Sequence, residues 1–154
     1  MKKILTLTCF LLFISGVKSQ DFNKLPQITL EGVSDYSEHE ELVLECADYL
    51  LKHDVDYQKR NRAFATQFLM RWMTGSEITF EIGSDFVKYS DKDGDRTAVY
   101  LASLISVVLH GEEGMTTQKV DEKTEDMFLS YCAKFSHLKR NKVIKKELKK
   151  RSSS

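Results

Sequence analysis

Proline is nearly missing from this chain of 154 residues; the only one is Pro26. Glycine is scarce too, with seven in all, six of them after residue 19. All-β sandwiches need turn residues about every 8–12 positions, so this poverty argues for helix over a β-sandwich. No stretch reaches the roughly 20 apolar residues that a membrane helix requires, so no transmembrane helix is expected in the mature chain. The three cysteines, Cys9, Cys46 and Cys132, form no C-x-x-C, which leaves dithiol redox catalysis, haem attachment and a zinc knuckle without support. H-E-x-x-H, G-x-S-x-G and a phosphate-cradling glycine loop are absent as well. The residues thus point to a protein that is not an enzyme and holds no cofactor or metal.

What the chain does have is Thr97–Leu109, TAVYLASLISVVL, thirteen residues without a charge. That length makes about 20 Å of helix at ~1.5 Å per residue and is long for a strand. Ala98, Ala102 and Ser103 suit close helix packing, Asp95 is placed to cap the start, and Gly111 to end the helix at positive φ. Apolar on nearly every side, this segment is expected to be the buried centre of the domain.

In chain order, Met1–Ser19 has the form of an export signal: Lys2 and Lys3, an apolar Ile4–Gly16, and a cleavage point after Ser19. The expected location is therefore periplasmic or secreted. Residues 20–36 read as an extended leader, in which Ile28–Leu30 is a candidate short strand. A helical domain follows over 37–138. Ser37 and Glu40 form a capping box for a helix Ser37–His53, with Leu42, Val43, Cys46, Ala47 and Leu50 on one face. A second helix, Asp56–Thr74, carries Phe64, Phe68 and Trp72 at four-residue spacing. Ile78–Ile82 alternates like a strand and is the candidate partner of Ile28–Leu30. Phe86–Tyr89 adds a helical turn before the central helix, and Thr117–Leu138 closes the domain with Met127, Phe128, Tyr131, Cys132 and Phe135 in a stripe. The fold class is mainly α: four to five helices around residues 97–109, arranged as a bundle or as two stacked helical hairpins, with at most one minor pair of short strands.

Leu44–Leu51 (LECADYLL), Asn61–Ala65 (NRAFA), Phe68–Gly75 (FLMRWMTG) and Phe80 resemble a group of small exported helical proteins from Gram-negative bacteria. The likeness covers about residues 41–109, roughly half the chain. It implies helical fold and export, and its motifs are packing signatures, so no active residue is carried over.

Charge is unevenly spread. Residues 20–138 hold 22 acidic and 12 basic side chains, a net −10, whereas residues 139–154 hold 8 basic and 1 acidic, a net +7. Lys139, Arg140, Lys142, Lys145, Lys146, Lys149, Lys150 and Arg151 form a basic C-terminal helix or tail, interleaved with Val143, Ile144 and Leu148. It is a candidate for binding an anionic envelope surface, or else a solvated helix end beside the acidic body; export makes nucleic acid an improbable partner. Cys46 and Cys132 both fall on apolar stripes. In an oxidising compartment they form either a disulfide or two separate buried thiols. Asp91–Asp95 evokes a calcium loop, but Arg96 and Ala102 stand where that loop needs Gly and Glu, so an acidic turn and helix cap is the better reading. His53, His110 and His137 lie near helix C-termini, where cap chemistry explains them. Together these features describe an exported module that binds an unidentified protein partner or an envelope surface, with homo-oligomers allowed; the alternative is a small exported enzyme without a recognisable motif, whose catalytic residues meet only in three dimensions.

Overall fold

The computed structural model describes residues 22–78, 80, 83–112 and 114–153; the export-signal segment 1–19 lies outside them. The described residues form one 3₁₀ helix, Phe22–Gln27, and seven α-helices: α1 (Val33–Glu38), α2 (Glu40–Lys52), α3 (Lys59–Gly75), α4 (Ser84–Ser90), α5 (Gly94–His110), α6 (Thr117–Lys134) and α7 (Lys142–Arg151). The fold is mainly α; the helical turn expected at Phe86–Tyr89 is α4, and one short helix, α1, lies beyond those that the sequence reveals.

The uncharged segment forms most of α5, and it is central. Every residue from Ala98 to Val107 is buried, and α5 packs against α2, α3, α4 and α6. Two apolar clusters meet on it. The first joins Phe22 and Leu25 of the 3₁₀ helix, Val43, Cys46, Ala47 and Leu50 of α2, and Ala65, Phe68, Leu69 and Trp72 of α3 to Ala102 and Ile105 of α5. The second joins Tyr89 of α4, Phe128, Leu129, Tyr131 and Cys132 of α6, and Ile144 of α7 to Val99 and Tyr100 of α5. A helix apolar on all sides must be covered on all sides; here two sets of amphipathic helices do so.

The start of α5 is capped by Asp93, not Asp95: the Asp93 carboxylate accepts from the Arg96 N–H at 3.0 Å. At its other end Gly111 has φ −70°, so positive φ is not what requires glycine there. Close approach is: a Cβ at Gly111 would stand 2.6 Å from the Val107 carbonyl oxygen and 2.2 Å from Met115 Cε.

The expected capping box at Ser37 is not formed. Asp35 takes that role one turn earlier, accepting from the N–H groups of Glu31 (2.8 Å) and Gly32 (2.9 Å), and the chain starts a helix at Val33 and breaks it at His39. Ser37 lies inside α1 and donates to the Ser34 carbonyl.

The short-strand pair is absent among the described residues; Thr79, Glu81 and Ile82 lie outside them. The leader finds other partners for its carbonyls. Arg71 donates to Ile28 (3.1 Å) and Leu25 (2.8 Å), and the Tyr36 hydroxyl donates to Leu30 (3.1 Å). Ile28, Leu30, Ile78 and Phe80 are half-buried against the first cluster. Their alternation reflects packing on helices rather than a sheet.

Candidate functional site

The cysteines answer first to burial. Both are free thiols, fully buried, and they sit in different clusters, Cys46 on α2 in the first and Cys132 on α6 in the second. The helical stripes placed each in the core correctly, but a stripe does not say which neighbour it faces. Burial pushes both thiols up to about 12, far from the thiolate that nucleophilic or metal-binding cysteine requires.

Three histidines serve helix geometry. Nδ1 of His39, His53 and His110 donates to the carbonyl four residues earlier, Asp35 (2.6 Å), Tyr49 (2.9 Å) and Ser106 (3.1 Å). His137 differs. Its Nδ1 lies 2.6 Å from Asp54 Oδ2 and its Nε2 3.9 Å from Asp56 Oδ2, pinning the α6–α7 connection to the α2–α3 loop. The hydrogen bond and charge of Asp54 raise the His137 pKa. For Asp54, burial opposes ionisation, but the His137 contact and the Val55 N–H outweigh it and hold the carboxyl below its ordinary range.

In the Asp91–Asp95 turn, Asp91 and Lys92 adopt left-handed φ, and the buried Arg96 guanidinium approaches Asp91 (3.8 Å) and Asp93 (3.6 Å). A protein cation thus occupies the acidic turn. No group of three His, Cys, Asp or Glu side chains suited to a metal occurs among the described residues.

The basic C-terminal helix is docked. Ile144 is fully buried, Val143 and Leu148 pack beside it, Asn141 caps α7 and donates to the Lys88 carbonyl (2.8 Å), and the Lys139 carbonyl accepts from Arg96 (2.8 Å). Arg151 pairs with Asp126 at 2.6 Å and Lys150 with Glu147 at 2.9 Å. The apolar face that a membrane-inserting helix needs is therefore used internally. Lys142, Lys145, Lys146 and Lys149 stay exposed, and with Lys150 they span an arc of about 140° at ~100° per residue.

Sequence reasoning overlooked the outer face of α3. Phe68 and Trp72 are fully buried, and Trp72 Nε1 donates to the Tyr36 carbonyl at 2.8 Å, so that stripe is core. That face carries the exposed Lys59, Arg60 and Arg71 and no acidic residue, in a body whose net charge is negative, whereas Arg62 is buried and donates to the Leu50 and His53 carbonyls at the end of α2. Two clefts border it. One, of ≈ 400 Å³, is lined by Pro26, Phe64, Gln67, Phe68, Met70 and Arg71; Met70 is 49 % exposed. The other, of ≈ 360 Å³, runs between α3 and the start of α5 and shares Gln67. Arg60 lies over the Phe64 ring, 5.3 Å from its centroid, and Arg71 over Phe68. The missed signal was the run of basic residues at the helix start, which opposes the dipole.

No family model, curated protein or solved structure matches the chain. Among the described residues, no helix is long and apolar enough to cross a membrane.

Proposed function

We propose that this chain is an exported, non-catalytic binding module that docks an acidic, apolar-anchored peptide segment of another protein along α3. One observation carries the reading: a helix with three exposed cations, Lys59, Arg60 and Arg71, and no anion, in an acidic body, borders two adjoining clefts beside the half-exposed Met70. Charge complementarity selects the segment and steers its approach, and the methionine offers an adaptable apolar contact. Export rests on the form of residues 1–19.

The test is a photo-crosslinker placed at Met70 in the full exported chain, with a second at Val87, exposed on α4, as reference. A discrete adduct from position 70 that Arg60→Glu abolishes is the expected result. No adduct, or the same adduct from position 87, overturns it.

A second reading, adhesion to anionic envelope surfaces, is favoured by the exposed lysine arc of α7. Because Ile144 is buried, such adhesion would be electrostatic only. Binding to anionic vesicles should then vanish as salt shortens the Debye length.

A further inference from the structure

Alone among the described helices, α1 has no buried residue. Its six residues are too few to hold a helix in water by themselves. It is held through Tyr36, whose carbonyl accepts from Trp72 Nε1 at 2.8 Å and whose hydroxyl donates to the Leu30 carbonyl. The outer side of α1 presents Val33, 61 % exposed, between the exposed Glu31 and Glu38. Glu41 and Glu45, also exposed, continue this acidic surface on α2 at i and i+4, a spacing at which like charges repel. Among the described residues none of these four glutamates is ion-paired, whereas Asp48, Asp85, Asp126 and Glu147 each have a basic partner.

The outer face of α3 has the opposite imbalance. Arg60 stands in the first turn, where a cation opposes the helix dipole. It rests on the Phe64 ring, and Arg71 on the Leu25 and Ile28 carbonyls; neither has a carboxylate partner among the described residues. Each patch is thus unfavourable in the free chain, and each supplies what the other lacks. Anions surround an exposed valine on one, and cations border the ≈ 400 Å³ cleft beside Met70 on the other. The exposed lysines of α7 are cationic too, but Ile144 turns the apolar side of that helix inward, so they offer no seat for Val33.

We propose that the protein supplying the acidic segment is a second copy of this chain: α1 of one copy lies along α3 of the other, with Val33 in the cleft beside Met70 and the glutamates facing Arg60 and Arg71. This rests on the reading of α3 as a docking groove and names its occupant. The two patches lie on neighbouring elements, since Trp72 of α3 holds Tyr36 of α1. A two-fold pairing, in which each copy gives and receives, uses both patches and closes at a dimer.

The test is analytical ultracentrifugation of the full exported chain over a concentration series reaching about 1 mM. The native chain should form a dimer that weakens as salt rises. Arg60→Glu and Glu41→Arg, both at exposed positions, should each weaken dimerisation at least about tenfold, with thermal unfolding unchanged. An equimolar mixture of the two variants should dimerise again, because each acidic helix then meets a basic groove and each basic helix an acidic one. Val33→Ser should weaken the dimer without altering charge. Lys145→Glu, exposed on α7, changes net charge as Arg60→Glu does and should leave the dimer intact. A native chain that stays monomeric overturns the proposal. So does a dimer indifferent to Arg60→Glu, a loss that mixing does not restore, or an equal loss from Lys145→Glu. The groove itself fails separately: a monomeric chain whose Met70 crosslinker captures a different protein keeps the groove and overturns the second copy, whereas no adduct at Met70 overturns both.

Discussion

Thr124 is fully buried on α6, and its hydroxyl has no partner. Replacing it with Val removes an unmet polar group at nearly constant shape, so Thr124→Val should raise unfolding stability by about 1 kcal/mol in urea denaturation; a loss would mean the hydroxyl is satisfied. His137 gives a pH-dependent case. Its folded pKa is raised above 6.5, so the protonated ring's contact with Asp54 stabilises fully below pH ~6.5 and is lost as pH rises through the folded value. Asp54 has the opposite sign: its folded pKa is below 3.8, so its contribution is present above that value and lost on acidification. An NMR titration should place the His137 midpoint above 6.5, with Asp54→Asn lowering it; a midpoint at or below that value contradicts the pairing. The residues of such pairs were visible in the sequence, but the pairs were not, because residues 54 and 137 meet only once the α2–α3 loop and the α6–α7 connection are folded together. The cap of α5 was misread for a smaller reason. Asp93 and Asp95 are equally suited by type, but the helix begins at Gly94, so Asp93 is the residue whose carboxylate reaches the Arg96 N–H, and Asp95 lies inside the first turn.

Among elements, legibility followed charge. α5 could be read because thirteen residues lack any charge, and α3 because its aromatics repeat every four positions. The α1–α2 break could not, since Asp35 and Ser37 are both good cap residues and Asp35 prevailed through two N–H contacts. The glycines at the two ends of α5, Gly94 as its first residue and Gly111 just past its last, separate conformational from steric demands. Gly94→Ala should stabilise by about 0.5–1 kcal/mol by restricting the unfolded chain, as an added Cβ meets nothing. Gly111→Ala should cost about 1–3 kcal/mol through contact with the Val107 carbonyl. Opposite shifts in urea midpoint are the expected result, and equal shifts would contradict this division. For α7, Ile144→Ala should cost about 2–5 kcal/mol, while Lys145→Ala should stay within about 0.5 kcal/mol. Two small, similar effects would instead mean that the basic helix is loosely held.

For the molecule as a whole, two apolar clusters share one helix, and that arrangement explains both the buried cysteines and the docked tail. Cys46 and Cys132 are core residues of separate clusters, which periodicity alone cannot distinguish from neighbours across one interface. The basic helix lies against an acidic body, and Arg151–Asp126 is one contact through which the two charges meet. Charge asymmetry was legible at once; that Ile144 commits the helix inward was not, because three apolar residues serve a membrane face and a core equally well. The outer face of α3 was hidden by its own aromatic stripe, which drew attention to the side that packs.

Native-state hydrogen exchange, read amide by amide, tests the shared helix most directly. Amides from Val99 to Val107 should exchange last, with an opening free energy equal to that of global unfolding. If they instead exchange as readily as the amides of α1 or α7, α5 does not hold the two clusters together.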